Sequence, residues 1–144
     1  MSTGDRTGRL AAQVAKVGLD ALIVTALSDV RYLTGFTGSN ALALVRAEAA
    51  GASGEHRFLT DFRYTAQSAE QVSERYSRRT VAGELAEALA DELNGSGGEG
   101  KLGFDETKTT VKGHRRLREL LESRWELVPC NGAVEELREV KDAE

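Results

Sequence analysis

Apolar positions recur along this chain with two periods, one typical of helices and the other of strands. The first helical stripe, ended by a glycine at position 18, consists of Leu10, Val14 and Val17. Residues 19–26 are nearly all apolar, which is typical of a central strand covered on both faces. The pattern predicts a helix followed directly by a buried strand.

A hairpin is predicted in the middle of the chain. Ser28 is suited to cap a short helix through Leu33, which the glycines at 35 and 38 would end. Residues 41–46 and 57–60 read as antiparallel strands joined by a glycine-containing loop over 49–55. This hairpin supplies the antiparallel part of the predicted sheet.

The remaining pattern alternates between helix and strand. It predicts a helix capped by Asp61 that runs to Val72, a strand over 77–81, a helix with the stripe Leu85, Leu89 and Leu93, a strand over 101–105, a helix around Leu117, and a strand over 125–128 ended by Pro129. Such alternation indicates an α/β fold with helices packed on a mixed, mostly parallel sheet of about five or six strands.

One domain accounts for the 144 residues. We predict a tail over 1–8 and a folded domain over 9–133. Residues 134–144 carry an apolar helical stripe and no residue that ends a helix, so we interpret them as the start of a connector to further protein. Its acidic residues look like a solvated face and are Glu135, Glu136, Glu139 and Asp142.

Composition excludes several classes of partner. The net charge of −4 disfavours nucleic acid, and no apolar run is long enough to span a membrane. Residues 1–8 lack the apolar core of a secretory signal, and Cys130 has no second cysteine to pair with. These features predict a cytoplasmic protein.

A glycine-rich loop over 95–100 matches the dinucleotide fingerprint and, with Lys101, most of a phosphate-binding loop. Both motifs need a strand before the loop and a helix after it, because the helix N-terminus supplies the anion-binding amides. Here a helix precedes and a strand follows, and Leu102 stands where the magnesium-binding hydroxyl belongs. We therefore interpret the loop as a simple connection.

Catalytic chemistry has little support in the residue pattern. His56 and His114 lack a second ligand at helical spacing and are interpreted as solvated surface residues. Cys130 has no paired histidine, which favours a half-buried structural role over a catalytic thiol. A nuclease would need clustered carboxylates, for which Asp20 and Asp105 are the candidate pair. The basic cluster Arg115, Arg116 and Arg118 is expected to pair with neighbouring carboxylates.

Four segments have sequences too specific to be explained by a general α/β pattern. They are residues 30–39 (Val-Arg-Tyr-Leu-Thr-Gly-Phe-Thr-Gly-Ser), 58–64 (Phe-Leu-Thr-Asp-Phe-Arg-Tyr), 102–106 (Leu-Gly-Phe-Asp-Glu) and 134–142. Together, and in this order, they resemble the N-terminal domain shared by Xaa-Pro aminopeptidases, prolidases and creatinases, with the first two closest to bacterial Xaa-Pro aminopeptidases. The resemblance implies a three-layer, ribonuclease-H-like fold.

The resemblance also implies a parent metallopeptidase that removes the residue preceding proline, as an aminopeptidase or a dipeptidase. Two divalent metals, commonly manganese, would lie in a catalytic domain downstream of this chain. No catalytic or metal-binding residue is assigned within 1–144. The domain would pack on its own catalytic domain, shape the cleft for peptide substrates and support a homo-oligomer. The alternative is a free-standing scaffold or interaction module of the same fold.

We predict two sets of candidate site residues. The cleft-lining candidates are Arg31, Tyr32, Phe36, Ser39 and Asn40. The competing interpretation is a simple turn with Tyr32 and Phe36 in the core. The residues expected to hold the local structure are Gly35, Gly38, Asp61, Arg63 and Tyr64.

Overall fold

Strands and helices alternate throughout the part of the chain that the computed structural model describes, residues 3–48, 55–96 and 98–136. The strands are β1 (Ala21–Val24), β2 (Ala41–Arg46), β3 (His56–Asp61), β4 (Tyr76–Val81), β5 (Gly100–Asp105) and β6 (Trp125–Cys130). The helices are α1 (Thr3–Lys16), α2 (Leu27–Thr34), α3 (Thr65–Gln71), α4 (Leu85–Gly95) and α5 (Val111–Leu120), with a 3₁₀ turn at Phe62–Tyr64 before α3. Residues 133–136 are also helical and are called the exit helix below.

The strands form one six-stranded sheet in the order β4-β3-β2-β1-β5-β6. β2 is antiparallel to both of its neighbours, whereas the β3–β4, β1–β5 and β5–β6 pairs are parallel. All described strands except β2 therefore end at the same edge of the sheet, here called the carboxyl edge. The predicted mixed, mostly parallel sheet and the hairpin between β2 and β3 are confirmed.

Alternating side chains of the central strands explain the three layers. In β1, Leu22 and Val24 face α1 and α2, while Ala21 and Ile23 face α4 and α5. Every residue of β1 is buried, as expected for a strand with helices on both faces. This is the three-layer, ribonuclease-H-like arrangement that the resemblance implied.

The chain folds earlier than predicted. Helix α1 begins at Thr3, so residues 3–8, predicted as part of a tail, are helical. Thr7 is buried and shares a 2.9 Å hydrogen bond with the Tyr76 hydroxyl, which ties the start of α1 to β4. Val17, expected on the apolar face of this helix, lies beyond its end and is exposed.

Two predicted boundaries are wrong for local reasons. Ser28 lies inside α2, whose N-cap is Ala26 with no side-chain cap. Pro129 does not end β6, which continues to Cys130. Because β6 is an edge strand, the missing N–H of the proline does not interrupt the sheet.

The order of the elements bears on the glycine-rich loop and on the candidate carboxylate pair. The described parts of the 95–100 loop join helix α4 to strand β5, the reverse of a nucleotide-binding order.

The candidate carboxylate pair lies at opposite ends of β5. Asp20 lies level with Lys101 and accepts a 2.7 Å bond from its N–H. Asp105, at the opposite end of β5, accepts from the Thr107 N–H and hydroxyl. The two carboxylates are separated by about 13 Å along the strands, at about 3.3 Å per residue, so they do not form a two-metal pair.

The histidines differ from their predicted surface positions. His56 is the first residue of β3 and is buried, and its Nδ1 accepts a 3.0 Å hydrogen bond from the Arg46 N–H. Burial and the nearby cations Arg75 and Arg46 lower the pKa of His56. His114 is half-buried on α5, with its ring 4.9 Å from that of Phe104.

Cys130 and Arg116 match their predicted roles. Cys130 is half-buried, and its burial raises the pKa of the thiol. Arg116 pairs with Glu84 at 2.8 Å and with Glu87 and Glu119 at 3.6 Å. The predicted connector begins within the exit helix, and its residues 137–144 lie outside the described part of the chain.

Candidate functional site

The two most particular sequence segments meet at the carboxyl edge. The turn 35–40 leads into β2 at this edge, and β3 ends there at Asp61. Because Ala41 pairs with Thr60, the residues just outside that pair, Asn40 and Asp61, lie side by side. The sheet register therefore brings together the glycine-rich turn and the Asp61–Tyr64 segment.

Asp61 is the hub of this contact. Its Oδ1 accepts from the Arg63 N–H and Nε at 2.9 Å, and its Oδ2 accepts from Arg63 Nη2 and Asn40 Nδ2 at 2.8 Å. The Arg63 guanidinium first, and then the Asn40 amide, hold the pKa of Asp61 well below its usual range. The predicted capping role of Asp61 is confirmed for the 3₁₀ turn that precedes α3.

Tyr64 forms a second bridge between the same segments. Its hydroxyl lies 2.5 Å from Ser39 Oγ and accepts a 3.2 Å bond from the Ser39 N–H. These bonds from Ser39 lower the pKa of Tyr64. The Arg63 guanidinium carbon lies 5.1 Å from the centre of the Tyr64 ring. Arg63 and Tyr64 thus both contact residues of this junction, Arg63 through Asp61 and Tyr64 through Ser39.

Phe36, a cleft-lining candidate, is a core residue. Only 1% of it is exposed, and its ring makes edge contacts with Phe58 at 5.0 Å and Tyr64 at 5.3 Å between centroids. The expectation that Phe36 presents its side chain to a cleft is therefore wrong for this arrangement. The turn packs against the α1–α2 layer, and burial of the Phe36 ring in that layer is favourable because the ring is large and apolar.

The two glycines of the turn are required for different structural reasons. Gly35 ends α2 with φ of 87°, and a Cβ there would lie 2.7 Å from the Gln71 carbonyl oxygen. At Gly38, a Cβ would lie 2.3 Å from the Phe36 ring and 2.9 Å from the Tyr64 ring. Gly35 allows the backbone conformation, and Gly38 leaves room for the aromatic cluster.

Helix α3 contributes to this site in a way that the residue pattern did not predict. Gln71 Oε1 accepts from the Thr37 N–H at 3.0 Å, and Gln67 Nε2 donates to the Thr37 hydroxyl at 3.1 Å. Glutamines at i and i+4 lie on one helix face, which was a usable signal that α3 has a polar partner. These bonds attach Thr37 of the turn to α3, in addition to the contacts made by Asp61 and Tyr64.

The other cleft-lining candidates differ in exposure. Tyr32 is half-buried. The Arg6 guanidinium lies 4.3 Å above its ring, and the Tyr32 carbonyl accepts a hydrogen bond from Arg6 Nη1 at 2.9 Å. Ser39 is exposed, and so is Arg31 on α2, whereas Asn40 is half-buried. Only part of the predicted set is therefore available to a partner.

Three exposed apolar side chains lie at the same carboxyl edge as the turn. Among the described residues, the large apolar side chains that are exposed are Val17, Leu27, Phe62 and Val111. The last three follow β1, β3 and β5, so they lie at the carboxyl edge, and we call them the edge triad. Phe62 is 61% exposed, beside an Arg63 side chain that is 66% exposed. Most of the large exposed apolar side chains among the described residues therefore lie at the carboxyl edge.

Neither a metal centre nor a membrane segment is found in the described parts of the chain. No group of three or more His, Cys, Asp or Glu residues within 3–48, 55–96 and 98–136 could hold a metal ion. The Asp61 carboxylate already accepts bonds on both oxygens, so it is not an open ligand. No helix in these stretches is long and apolar enough to cross a lipid bilayer.

Comparison with known proteins gives consistent matches. The profile of the creatinase/prolidase N-terminal domain matches residues 6–140. The peptidase YqhT of Bacillus subtilis is 36% identical over 129 residues, which are 90% of this chain and 34% of that protein. The chain therefore spans about a third of the length of this curated relative.

Solved structures show the same relationship. The N-terminal domain of the cytoplasmic peptidase PepQ from Mycobacterium tuberculosis has a TM-score of 0.81 and 37% identity, with 93% of this chain and 98% of that chain covered. The Xaa-Pro dipeptidase from Bacillus anthracis has a TM-score of 0.82 and 27% identity, with 95% of this chain but 36% of that chain covered. The similarity thus extends over one complete domain and a part of a larger enzyme.

Proposed function

The chain belongs to the creatinase/prolidase N-terminal domain family, and we propose that it is the non-catalytic N-terminal domain of a metal-dependent Xaa-Pro aminopeptidase or dipeptidase. One observation carries this proposal. The matched parts, 93% and 95% of this chain, cover 98% of a solved N-terminal domain and 36% of a solved Xaa-Pro dipeptidase. A chain of this extent corresponds to the accessory domain of such an enzyme.

The catalytic domain of the parent enzyme is the proposed partner. The edge triad supports this, because its three apolar side chains are exposed at the edge where the family segments meet. Burial of such side chains against a second domain is favourable by about 25 cal/mol per Å² of apolar surface. The same edge could be shared with a second subunit of a homo-oligomer.

The turn 35–40 is the proposed cleft wall for peptide substrates. Its exposed Ser39, together with the exposed Arg31 on α2 and the exposed Phe62–Arg63 pair after β3, would limit which chains reach the reactive centre. Phe36 would support this wall from within, since its ring fills the space beneath Gly38. The bonds to Asp61, Tyr64 and Gln71 make the turn rigid enough for such a role.

The two divalent metals, with manganese as the proposed ion, would be held by the downstream domain. A metal-bound hydroxide there would supply the nucleophile for peptide hydrolysis. The described residues of this chain do not form a ligand set, so no step of the reaction is assigned to them. The proposed location of the parent enzyme is the cytoplasm, as stated for the PepQ relative.

Activity of the purified chain and of its full-length gene product tests the proposal. With manganese added, the 144-residue chain should not hydrolyse an Ala-Pro or Gly-Pro peptide. The product of the complete reading frame should hydrolyse it. Turnover by the chain alone, or a reading frame that ends at Glu144, would overturn the proposal and favour the free-standing module.

A further inference from the structure

Lys108 connects two elements that are far apart in the sequence. It lies just after β5, and its Nζ donates to Asp29 Oδ2 of α2 at 2.7 Å. The same Nζ lies 3.0 Å from Glu135 Oε1 of the exit helix. One ammonium group therefore links the α2 layer to the point where the chain leaves the sheet after β6.

The two carboxylates differ in burial. The Asp29 side chain is 3% exposed and the Lys108 side chain 20%, whereas the Glu135 side chain is 56% exposed. Asp29 also lies in the first turn of α2, where a negative charge is favoured. Since a buried carboxylate is costly without its cation, Asp29 holds Lys108 in place. Glu135 then binds an ammonium group whose position is already set.

The loop that carries Lys108 is itself well defined. The Lys108 and Thr109 N–H groups donate to the Asp105 carbonyl at 3.1 and 3.0 Å, and the Asp105 carboxylate accepts from Thr107. Burial alone would lower the pKa of Lys108, but its hydrogen bonds to Asp29 and Glu135 outweigh that effect and raise it. Lys108 is thus a fixed, charged anchor.

Further contacts hold the exit helix in the same orientation. Val134 is buried in the core layer formed by α1 and α2. Gln13 of α1 donates to Glu136 Oε2 at 3.0 Å, and the Glu136 N–H donates to the Gly132 carbonyl at 2.9 Å. The apolar contact sets the depth of the helix, while Lys108 and Gln13 hold it from two different elements.

We propose that Lys108 is a positioning residue that fixes the direction in which the chain leaves this domain. Its contact with Glu135 adds little to global stability, because half-exposed ion pairs are weak. Its effect is local: it joins the first turn of the exit helix to the α2 layer. Its use rests on the proposed function, since in a two-domain enzyme this direction orients the second domain relative to the carboxyl edge.

Amide hydrogen exchange of the 144-residue chain, followed by NMR, tests this inference without any catalytic assay. In Glu135→Gln, the Glu136 amide should lose about twofold to fivefold of its protection, the size expected for a half-exposed pair. Amides of β1 and β2 should keep theirs. The matched control is Glu119→Gln, which removes a carboxylate of similar exposure, 59%, from the Arg116 pair on α5. It should leave Glu136 unchanged.

Variants of Lys108 separate positioning from simple stability. Lys108→Arg retains the charge and should keep most of the Glu136 protection. Lys108→Met should lose the part of that protection that depends on the contact with Glu135. In the Lys108→Met background, Glu135→Gln should have no further effect on this amide. If Lys108→Met is too unstable to study, Glu135→Gln with its control decides alone. Unchanged Glu136 protection in Glu135→Gln would overturn the inference, while the proposed function would still stand on its activity test.

Discussion

Asn40 donates a 2.8 Å hydrogen bond to the carboxylate of Asp61, across the junction where β2 begins and β3 ends. The same carboxylate binds Arg63 through both of its oxygens. The turn before β2 and the 3₁₀ turn after β3 are therefore held together through one acidic side chain.

Acid should weaken this junction. The pKa of Asp61 is lowered in the folded chain, so its ionised form stabilises the fold above the ordinary Asp pKa of about 4. That stability is lost as the pH falls from about 4 toward the lowered folded value. In Asp61→Asn, the free energy of unfolding should be lower at pH 7 and should fall less steeply below pH 4, as measured by urea denaturation.

The variant Arg63→Gln provides a control, because it removes the main cause of the lowered pKa while leaving the carboxylate. It should also flatten the acid dependence. An Asp61→Asn chain with the acid dependence of the original sequence would show that the junction contributes nothing to stability.

Phe36 and Phe62 are the same residue type in opposite environments, because Phe36 is buried and Phe62 is exposed. Phe36→Ala should lower the free energy of unfolding by about 3–5 kcal/mol, since it leaves a cavity among Phe58 and Tyr64. Phe62→Ala should change it by no more than about 0.5 kcal/mol, because Phe62 is 61% exposed. Chemical denaturation of both variants checks the difference.

The full-length protein should show the opposite order for contacts between domains. Phe62→Ser should make the junction between the two domains more susceptible to limited proteolysis. Conservative Phe36→Leu should leave the cleavage pattern unchanged at a temperature where both variants are folded. Equal cleavage of Phe62→Ser and the original protein would argue against packing through the edge triad.

Gly38 should tolerate no side chain. In Gly38→Ala, the added Cβ would lie 2.3 Å from the Phe36 ring, so the aromatic cluster must shift. We expect a loss of about 1–3 kcal/mol, the usual cost of overpacking. Gly83 has open space around its Cβ position, so Gly83→Ala should be close to neutral or slightly stabilising. Thermal denaturation of the two variants compares them, and equal melting temperatures would contradict the explanation for Gly38.

Mild acid should act through His56. The pKa of His56 is lowered in the fold, so below its ordinary value of about 6.5 the unfolded chain binds the proton more readily. Stability should therefore fall as the pH drops from about 7 toward the lowered value. An NMR titration should place the His56 pKa below 6.5, and His56→Gln should reduce the loss of stability in this range. A His56 pKa at or above 6.5 would contradict the buried position.

Much of the fold could be predicted from residue patterns. The predicted bounds of β2 were correct, as were the hairpin, the alternation of helices and strands, and the cap at Asp61. Boundaries failed where local signals were ambiguous, as at Ser28, or where sheet position overrode them, as at Pro129. Helix α1 began earlier than predicted because its first turns are packed by Thr7, which no apolar periodicity indicates.

The sequence by itself determined the α/β class, the family segments and the glycines of the turn, because periodicity and backbone preference act over a few neighbouring residues. Only the tertiary structure decided that Phe36 is buried, that Asn40 reaches Asp61 from 21 residues away, and that Lys108 reaches Asp29 from 79 residues away. Such contacts depend on strand order and register, which bring distant side chains together at one edge of the sheet.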